Sequence, residues 1–326
     1  MSSEKNSESS TQQTLQQPVR YVGVGLHSGQ RVSMRVRAGE ENTGICFVRK
    51  DVPVGRGVIP ARWHNVIDTQ RCTAIGNEYG VSLRSIEHLM AGLRGCGIDN
   101  AVVELDGPEV PAMDGSSEMF VSMIERAGIV RQAAKRKVIR ILKPIAVGEG
   151  DRFAILTPHM TTQLTVEIDF VSPAIGFQRF SVELTNGAFR RELAGARTFG
   201  FLNSIGWLHR MGLARGGSVS NAIVVDGDRV VNEEGLRFKD EFVRHKVLDC
   251  VGDLFLAGAP IVGYFHGYKP GHTLNHALVC ELFANEDAWS YVTPDELDNG
   301  PTWWNVPRDR LTSAIKVARQ WTRKIA

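Results

Sequence analysis

Between Arg31 and Arg37 the chain alternates. Val32, Met34 and Val36 stand against Ser33, Arg35 and Arg37, the period-two pattern of a half-buried strand. Ile45 to Val48, Cys72 to Ile75 and Ala101 to Leu105 are shorter strand candidates. Between them the period changes. Leu83, Ile86, Leu89, Met90 and Leu93 recur at three- and four-residue spacing, and Gly95 and Gly97 follow, which predicts a helix ended by glycine. After the turn-rich Gly107-Pro108 and Asp114-Gly115-Ser116-Ser117, a second helix is predicted from about Glu118 to Ala127.

The second half repeats this grammar. Strands are predicted near 138–142 and 152–157, then along Leu164, Val166, Ile168 and Phe170. A helix near 187–195 leads to a hairpin: Ala222 to Val225, the turn Asp226-Gly227, and Arg229 to Val231. From Asp240 to Gly258, Val243, Val247, Leu248, Val251, Leu254 and Phe255 mark a long helix. The apolar strand Ile261 to Phe265 follows, then the turn Lys269-Pro-Gly-His272 and a helix to about Phe283. His88 thus begins a run of helix, glycine, strand, and His245 begins another. The echo suggests an α+β fold class: two similar domains, their site-bearing helices facing each other across a pseudo-twofold interface.

The 326 residues suffice for two domains with cores of their own. Residues 1–17, rich in Ser and Gln, are expected to be a disordered tail. The first domain is placed at 18–130, the second at 138–285, and a C-terminal extension at 286–326. The basic stretch 131–137, with Arg131, Lys135, Arg136 and Lys137, is read as the linker. A formal charge of +2 excludes bulk nucleic-acid binding. Five scattered cysteines without a CxxC pair indicate a reducing compartment. Neither a secretory signal nor a membrane-spanning apolar run is present, so the expected location is the cytoplasm. From Arg308 onward, Leu311, Ile315, Ala318 and Ile325 line one helical face amid Arg308, Arg310, Lys316, Arg319, Arg323 and Lys324. Such a helix suits peripheral contact with an anionic inner-membrane surface, or docking on the protein's own surface. Nothing calls for an obligate protein partner.

The chemistry lies on the long helix. His245 and Asp249 are four apart, so their side chains share a face, and Asp253 lies one turn further. On spacing alone a helix-surface charge pair accounts for them as well. Imidazole and carboxylate are also ligands that zinc accepts, and a catalytic site uses three protein ligands with one position open. His88, in the matching place of the first domain, offers the third, and Glu87 beside it could serve as base. A metal lowers the pKa of water from ~16 toward ~7, within reach of a carboxylate. By motif alone the structural and catalytic readings stay balanced. His64 stands alone and is read as structural.

Several longer motifs then occur in order: Gly23-Val-Gly-Leu-His-Ser-Gly29, Ser85-Ile-Glu-His-Leu89, Gly97-Ile-Asp-Asn100, Pro111-Ala-Met-Asp-Gly115, Ala196-Arg-Thr-Phe-Gly-Phe201, Asn232-Glu-Glu-Gly-Leu-Arg-Phe238, Phe242-Val-Arg-His-Lys-Val-Leu-Asp249 and Gly271-His272. From about Gly23 to about Phe283 the chain resembles the bacterial UDP-3-O-acyl-N-acetylglucosamine deacetylases, which carry out the committed step of lipid A synthesis. The resemblance implies two α+β domains, each a small sheet layered with two helices, with the active site at their interface. It also implies a zinc-dependent hydrolase, with iron(II) as the alternative metal, that frees acetate from its sugar-nucleotide substrate. It matches His88, His245 and Asp249 to the metal ligands and Glu87 to the general base. His272 would protonate the leaving amine, oriented by Asp253, and Thr198 would lie beside the oxyanion. Lys246 would contact substrate, and Phe199 and Phe201 would lie along the sugar–nucleotide region. A β-α-β insert at about 197–232 would form an acyl-chain passage, lined by Leu202, Ile205, Gly217, Ser218, Ala222 and Val224.

Cys72 is read as a small buried hydrophobe, Gly216-Gly217 as a flexible turn, and Asp114 as fixing its own turn. Two other readings use the same residues. An iron(II) oxygenase shares two His and one carboxylate but needs no neighbouring base, and a demand for 2-oxoglutarate or O₂ would reveal it. A non-catalytic sugar-nucleotide or lipid-binding module with a structural metal would use four protein ligands, and only three are at hand.

Overall fold

The alternating stretch is a strand, Arg31–Ala38, whose Val32, Met34 and Val36 are wholly buried. The structure, a computed structural model, describes residues 9–185 and 187–298. Arg31–Ala38 stands second in a five-stranded sheet ordered Val19–Val24, Arg31–Ala38, Ala101–Leu105, Ile45–Arg49, Val58–Pro60. Ala101–Leu105 pairs antiparallel with Arg31–Ala38 and parallel with Ile45–Arg49. Helices α1 (Glu87–Gly95) and α2 (Glu118–Ala127) cover this sheet. Leu89, Met90 and Leu93 of α1 and Phe120, Met123 and Ile124 of α2 share one core with Val36, Phe47 and Val103.

The second sheet repeats the pattern strand for strand. Ile145–Glu149 and Arg152–Thr157 form the first hairpin, Thr162–Asp169 and Phe177–Glu183 the second. Ile261–Tyr268 runs between them, antiparallel to Arg152–Thr157 and parallel to Thr162–Asp169. Two short helices, α3 (Ala188–Glu192) and α4 (Ile205–Arg210), precede the covering helices α5 (Glu241–Leu254) and α6 (His272–Ala284). The echo between the halves is therefore a repeat of topology, and the chain is α+β with two like layers. Within the insert, Phe199–Phe201 pairs parallel with Ile223–Asp226, and α4 lies between them in sequence. That is the β-α-β unit, closed by Arg229–Val230 in a hairpin.

α1 crosses α5, and glycine sets their separation. A Cβ on Gly252 would stand 2.1 Å from the carbonyl oxygen of Glu87. No other residue permits that approach.

Three sequence expectations need correction. The tail is ordered from Ser9: Thr11–Leu15 is a strand antiparallel to Ile129–Lys135. Two of its three inward side chains, Gln12 and Thr14, are polar, so composition concealed it. Thr14 Oγ1 donates to the Asn100 carbonyl at 2.7 Å, and Asn100 Nδ2 to Gln12 Oε1 at 2.8 Å. The stretch taken as linker is mostly the partner of this strand, a ribbon with alternate residues in solvent. At the other end, Trp289–Val292 pairs antiparallel with Val138–Ile141 and so belongs to the second sheet. The basic helix expected from Arg308 lies outside the described residues. Among those described, no helix is long and apolar enough to cross a membrane.

Candidate active site

α5 is buried almost all round, which is why a period of apolar residues can carry His245, Asp249 and Asp253 into the interior at 3%, 2% and 3% exposure. Charges so buried need partners. α1 enters from the first domain through Ser85, a non-glycine residue at φ 58°, whose hydroxyl donates to Glu109 Oε1 at 2.8 Å. This turn delivers Glu87 and His88 as the first residues of α1. Ser117 Oγ donates to the His88 carbonyl and ties α2 to the same turn.

One ligand atom each from His88, His245 and Asp249 lies within 4.8 Å of the others. The two rings meet edge to face at 4.8 Å between centroids. His245 Nδ1 donates to the Ala196 carbonyl at 3.1 Å, which leaves the Nε2 lone pair free. Asp249 Oδ2 accepts from Lys246 Nζ at 2.7 Å. Asp249 Oδ1 is buried and accepts no hydrogen bond from a described residue, though His245 Nε2 and His88 Nε2 stand 3.3 and 3.5 Å away. An orphaned carboxylate oxygen between two imidazole nitrogens costs free energy unless a cation meets it. The donor set suits a metal: neutral imidazole and a carboxylate. Burial pushes the pKa of His245 down to about 3, with His88 and Lys246 acting in the same direction. Burial opposes the charge on Asp249, yet His245 and Lys246 hold its carboxyl well below the usual range.

Beside this triad stands a second pair. Glu87 Oε2 accepts from the Thr73 N–H at 3.0 Å, and Oε1 faces His272 Nε2 at 3.9 Å. Burial raises the pKa of Glu87 against the pull of His272 and His88. His272 opens α6, and its Nδ1 donates to Asp253 Oδ2 at 2.8 Å. Burial works against its charge, but Asp253 foremost, then Glu87, raise its pKa to about 9. At neutral pH the Nε2 proton is therefore in place. Asp253 is also held by Thr73 Oγ1 at 2.6 Å and Asn275 Nδ2 at 2.8 Å. Cys72 is buried, and burial and Glu87 raise its thiol to about 12. Burial with a raised thiol pKa fits the small buried hydrophobe read from the sequence.

The remaining candidates lie around the insert. Thr198 is pinned by its N–H to the Gly115 carbonyl at 2.8 Å, and its side chain is half-buried. Gly115 sits at φ 82°, and a Cβ there would meet the Asn221 carbonyl oxygen at 2.1 Å. Phe199 stacks edgewise on Phe242 at 5.0 Å and on His245 at 6.3 Å, and Phe201 packs on Phe170 at 5.9 Å. Ile223 and Val225 are buried, so Ala222 and Val224 occupy the other face and remain half-exposed. Leu202, Gly217 and Ser218 are exposed and Ile205 half-buried. Gly216 is a close contact rather than a free turn: a Cβ would stand 2.3 Å from the Gly25 carbonyl oxygen. Asp114 accepts from Ser116 and from Arg237 Nη1 at 2.7 Å, fixing its turn.

The sequence reading passed over Thr73, Asn275 and the Ala196 carbonyl. Asn275 could have been found, three residues after His272 on one helix face. Thr73 acts partly through backbone and carries no sequence signal.

Two clustered imidazoles and a carboxylate, with Glu87 and His272 alongside, form an arrangement that a metal-dependent hydrolase would use. Residues 12–284 match the LpxC family model, described as UDP-3-O-acyl N-acetylglycosamine deacetylase. A relative from Phenylobacterium zucineum (strain HLK1) is 51% identical over 282 residues, 86% of this chain and 96% of its own. One from Pasteurella multocida (strain Pm70) is 45% identical over 304 residues, 92% of this chain and 99% of its own. One from Haemophilus influenzae (strain PittEE) is 44% identical over 302 residues, with 92% and 99% covered. Each bears the name UDP-3-O-acyl-N-acetylglucosamine deacetylase. The chain belongs to this family of deacetylases.

Proposed function

We propose that the chain removes the N-acetyl group from UDP-3-O-(3-hydroxyacyl)-N-acetylglucosamine, releasing acetate and a free 2-amine, the committed step of lipid A biosynthesis. The observation that carries this reading is the orphaned Asp249 oxygen facing His88 and His245, with Glu87 and His272 only 3.9 Å apart beside it. His88, His245 and Asp249 would hold zinc; three ligands leave one position open, as in catalytic sites. When bound, the metal supplies Lewis acidity toward a water and a carbonyl oxygen.

The side chains divide the rest of the work. Glu87, fixed by the Thr73 N–H, takes a proton from the attacking water. His272, protonated and steered by Asp253, gives its Nε2 proton to the departing nitrogen, without which an amine is a poor leaving group. The Thr198 hydroxyl would lie where charge develops on the acetamide oxygen. Lys246, Phe199 and Phe201 would meet the sugar–nucleotide. Leu202, Ile205, Gly217, Ser218, Ala222 and Val224 would line the acyl passage. The five cysteines are free, as in a reducing compartment, which supports a cytoplasmic reaction.

The test is incubation of zinc-loaded protein with the substrate under air and under nitrogen. Acetate and new primary amine should appear in equal amounts in both atmospheres. Absence of acetate, or a requirement for O₂, would end the hydrolase reading. Reloading with iron(II) under nitrogen decides which metal supports the faster turnover.

A further inference from the structure

Ala196 and Arg197 share one peptide group, and α5 holds that group at both ends. Its carbonyl accepts from His245 Nδ1 at 3.1 Å, and its N–H donates to Glu241 Oε1 at 3.0 Å. Glu241 and His245 are one turn apart on α5, so a single peptide plane spans two successive turns. Glu241 is wholly buried, and four donors converge on it. Besides the peptide N–H these are Arg197 Nε at 2.9 Å, Arg197 Nη2 at 3.3 Å and the Arg237 N–H at 2.6 Å. Arg197, 2% exposed, extends the network to Glu234 Oε1 at 2.6 Å and the Gly235 carbonyl at 2.7 Å.

An ion pair this deeply buried is a weak source of stability, because desolvation cancels most of its attraction. What it fixes is geometry. We propose that Glu241 is a positioning residue for the metal centre, holding the Ala196–Arg197 peptide plane and, through its carbonyl, the tautomer and tilt of the His245 ring. Without the N–H anchor that peptide can rotate about its flanking bonds, and the carbonyl leaves Nδ1. The ring then divides its proton between two nitrogens, and the Nε2 lone pair is available only part of the time. Arg197 orients the carboxylate through Nε and Nη2. The proposal rests on the reading of His245 as a ligand.

The experiment measures zinc Kd by chelator competition for wild type, Glu241→Gln, Glu241→Asp, His245→Ala and Asp99→Asn, and records the His245 Nδ1 proton in ¹⁵N-histidine spectra of the metal-free proteins. Asp99→Asn is the control, breaking the buried Arg136–Asp99 pair (2.7 Å) in the first domain. A glutamine offers one acceptor where four donors converge, so zinc Kd should rise by about 10–100-fold and the Nδ1 proton signal should vanish. Asp99→Asn should lower Tm and change neither readout. Wild-type zinc Kd in folded Glu241→Gln overturns the proposal. Should that variant fail to fold, Glu241→Asp decides: it keeps the charge but stops one methylene short of the peptide. Weakening by about tenfold supports the proposal, and wild-type affinity overturns it. Loss of zinc in His245→Ala beside retention in both Glu241 variants removes the positioning role alone. Retention in His245→Ala removes the ligand reading and this proposal together.

Discussion

Replacing Gly252 by alanine tests whether the spacing of α1 and α5 sets the metal geometry. The added Cβ would stand 2.1 Å from the Glu87 carbonyl oxygen and 2.9 Å from its carbon. Carbon–oxygen contacts of this kind settle at about 3.3–3.6 Å, so the helices must part by about 1 Å where they cross. Overpacking of this sort costs about 1–3 kcal/mol. With an unfolding entropy of about 0.7 kcal/mol/K for a chain of this length, that is a drop in Tm of only about 2–4 °C. The site feels far more. Ligand distances tolerate about 0.2 Å, and His88 is bonded to the residue that must move. Zinc affinity and turnover should therefore fall by at least about tenfold while the fold persists. Melting curves, chelator competition and acetate release measure the three quantities. A variant with lowered Tm but wild-type zinc Kd and turnover would show that the helix crossing does not govern the ligands.

Other perturbations separate the roles. Glu87→Gln should keep the metal yet lose about 10² or more in turnover, and full activity would remove Glu87 as base. In wild type, activity should fall as pH rises through about 9, where His272 loses its proton. His272→Ala should be slow at every pH and lack that limb; an unchanged limb would assign the acid elsewhere. For the metal-free protein, His245 is neutral when folded, with its pKa lowered from 6.5 to about 3, so the unfolded chain binds the extra proton in that window. Its contribution is intact above 6.5 and is lost as pH falls toward 3, and the depressed carboxyl of Asp249 acts the same way. The difference between urea midpoints at pH 7 and pH 4 should shift in His245→Ala toward greater relative stability at pH 4; an unchanged difference would contradict this. Ala222→Phe should fill the proposed acyl passage; at about 0.8 kcal/mol for each CH₂ excluded, kcat/KM on a long-chain substrate should drop by ~10² or more. An equal loss on a substrate lacking the chain would make that strand a support of the fold instead.

Periodicity was enough for the two layers, because Val32, Met34 and Val36, or Leu164, Val166 and Ile168, bury one face and state it in their spacing. It failed at Thr11–Leu15, where Gln12 and Thr14 turn inward and are satisfied by hydrogen bonds. A strand held by polar side chains has no hydrophobic signature. The triad was legible for a different reason. His245 and Asp249 share a helix, but His88 comes from 157 positions away in sequence, and only the topological echo and the family resemblance brought it in. Two of the groups that orient the site were not legible, since they act through backbone. The Thr73 N–H and the Ala196 carbonyl look the same in any sequence.

The two site-bearing helices differ around their histidines. If they are aligned on His88 and His245, Glu87 falls opposite Arg244 and Asp249 opposite Gly92. Neither counterpart could serve in the other's place. Arg244 is drawn away by Asp240 at 2.6 Å and Glu192 at 2.7 Å and lies over the Phe180 ring at 4.1 Å. A Cβ on Gly92 would already be 3.3 Å from the Phe120 Cβ, so a carboxylate has no room there. Each helix supplies one of the two facing imidazoles, and each domain adds a different acid. The second contributes Asp249, between the two imidazoles, and Asp253, bonded to His272; the first contributes Glu87, one residue from its histidine. The departures from the repeat, one carboxylate between the imidazoles and another beside them, are what the proposed hydrolysis would draw on.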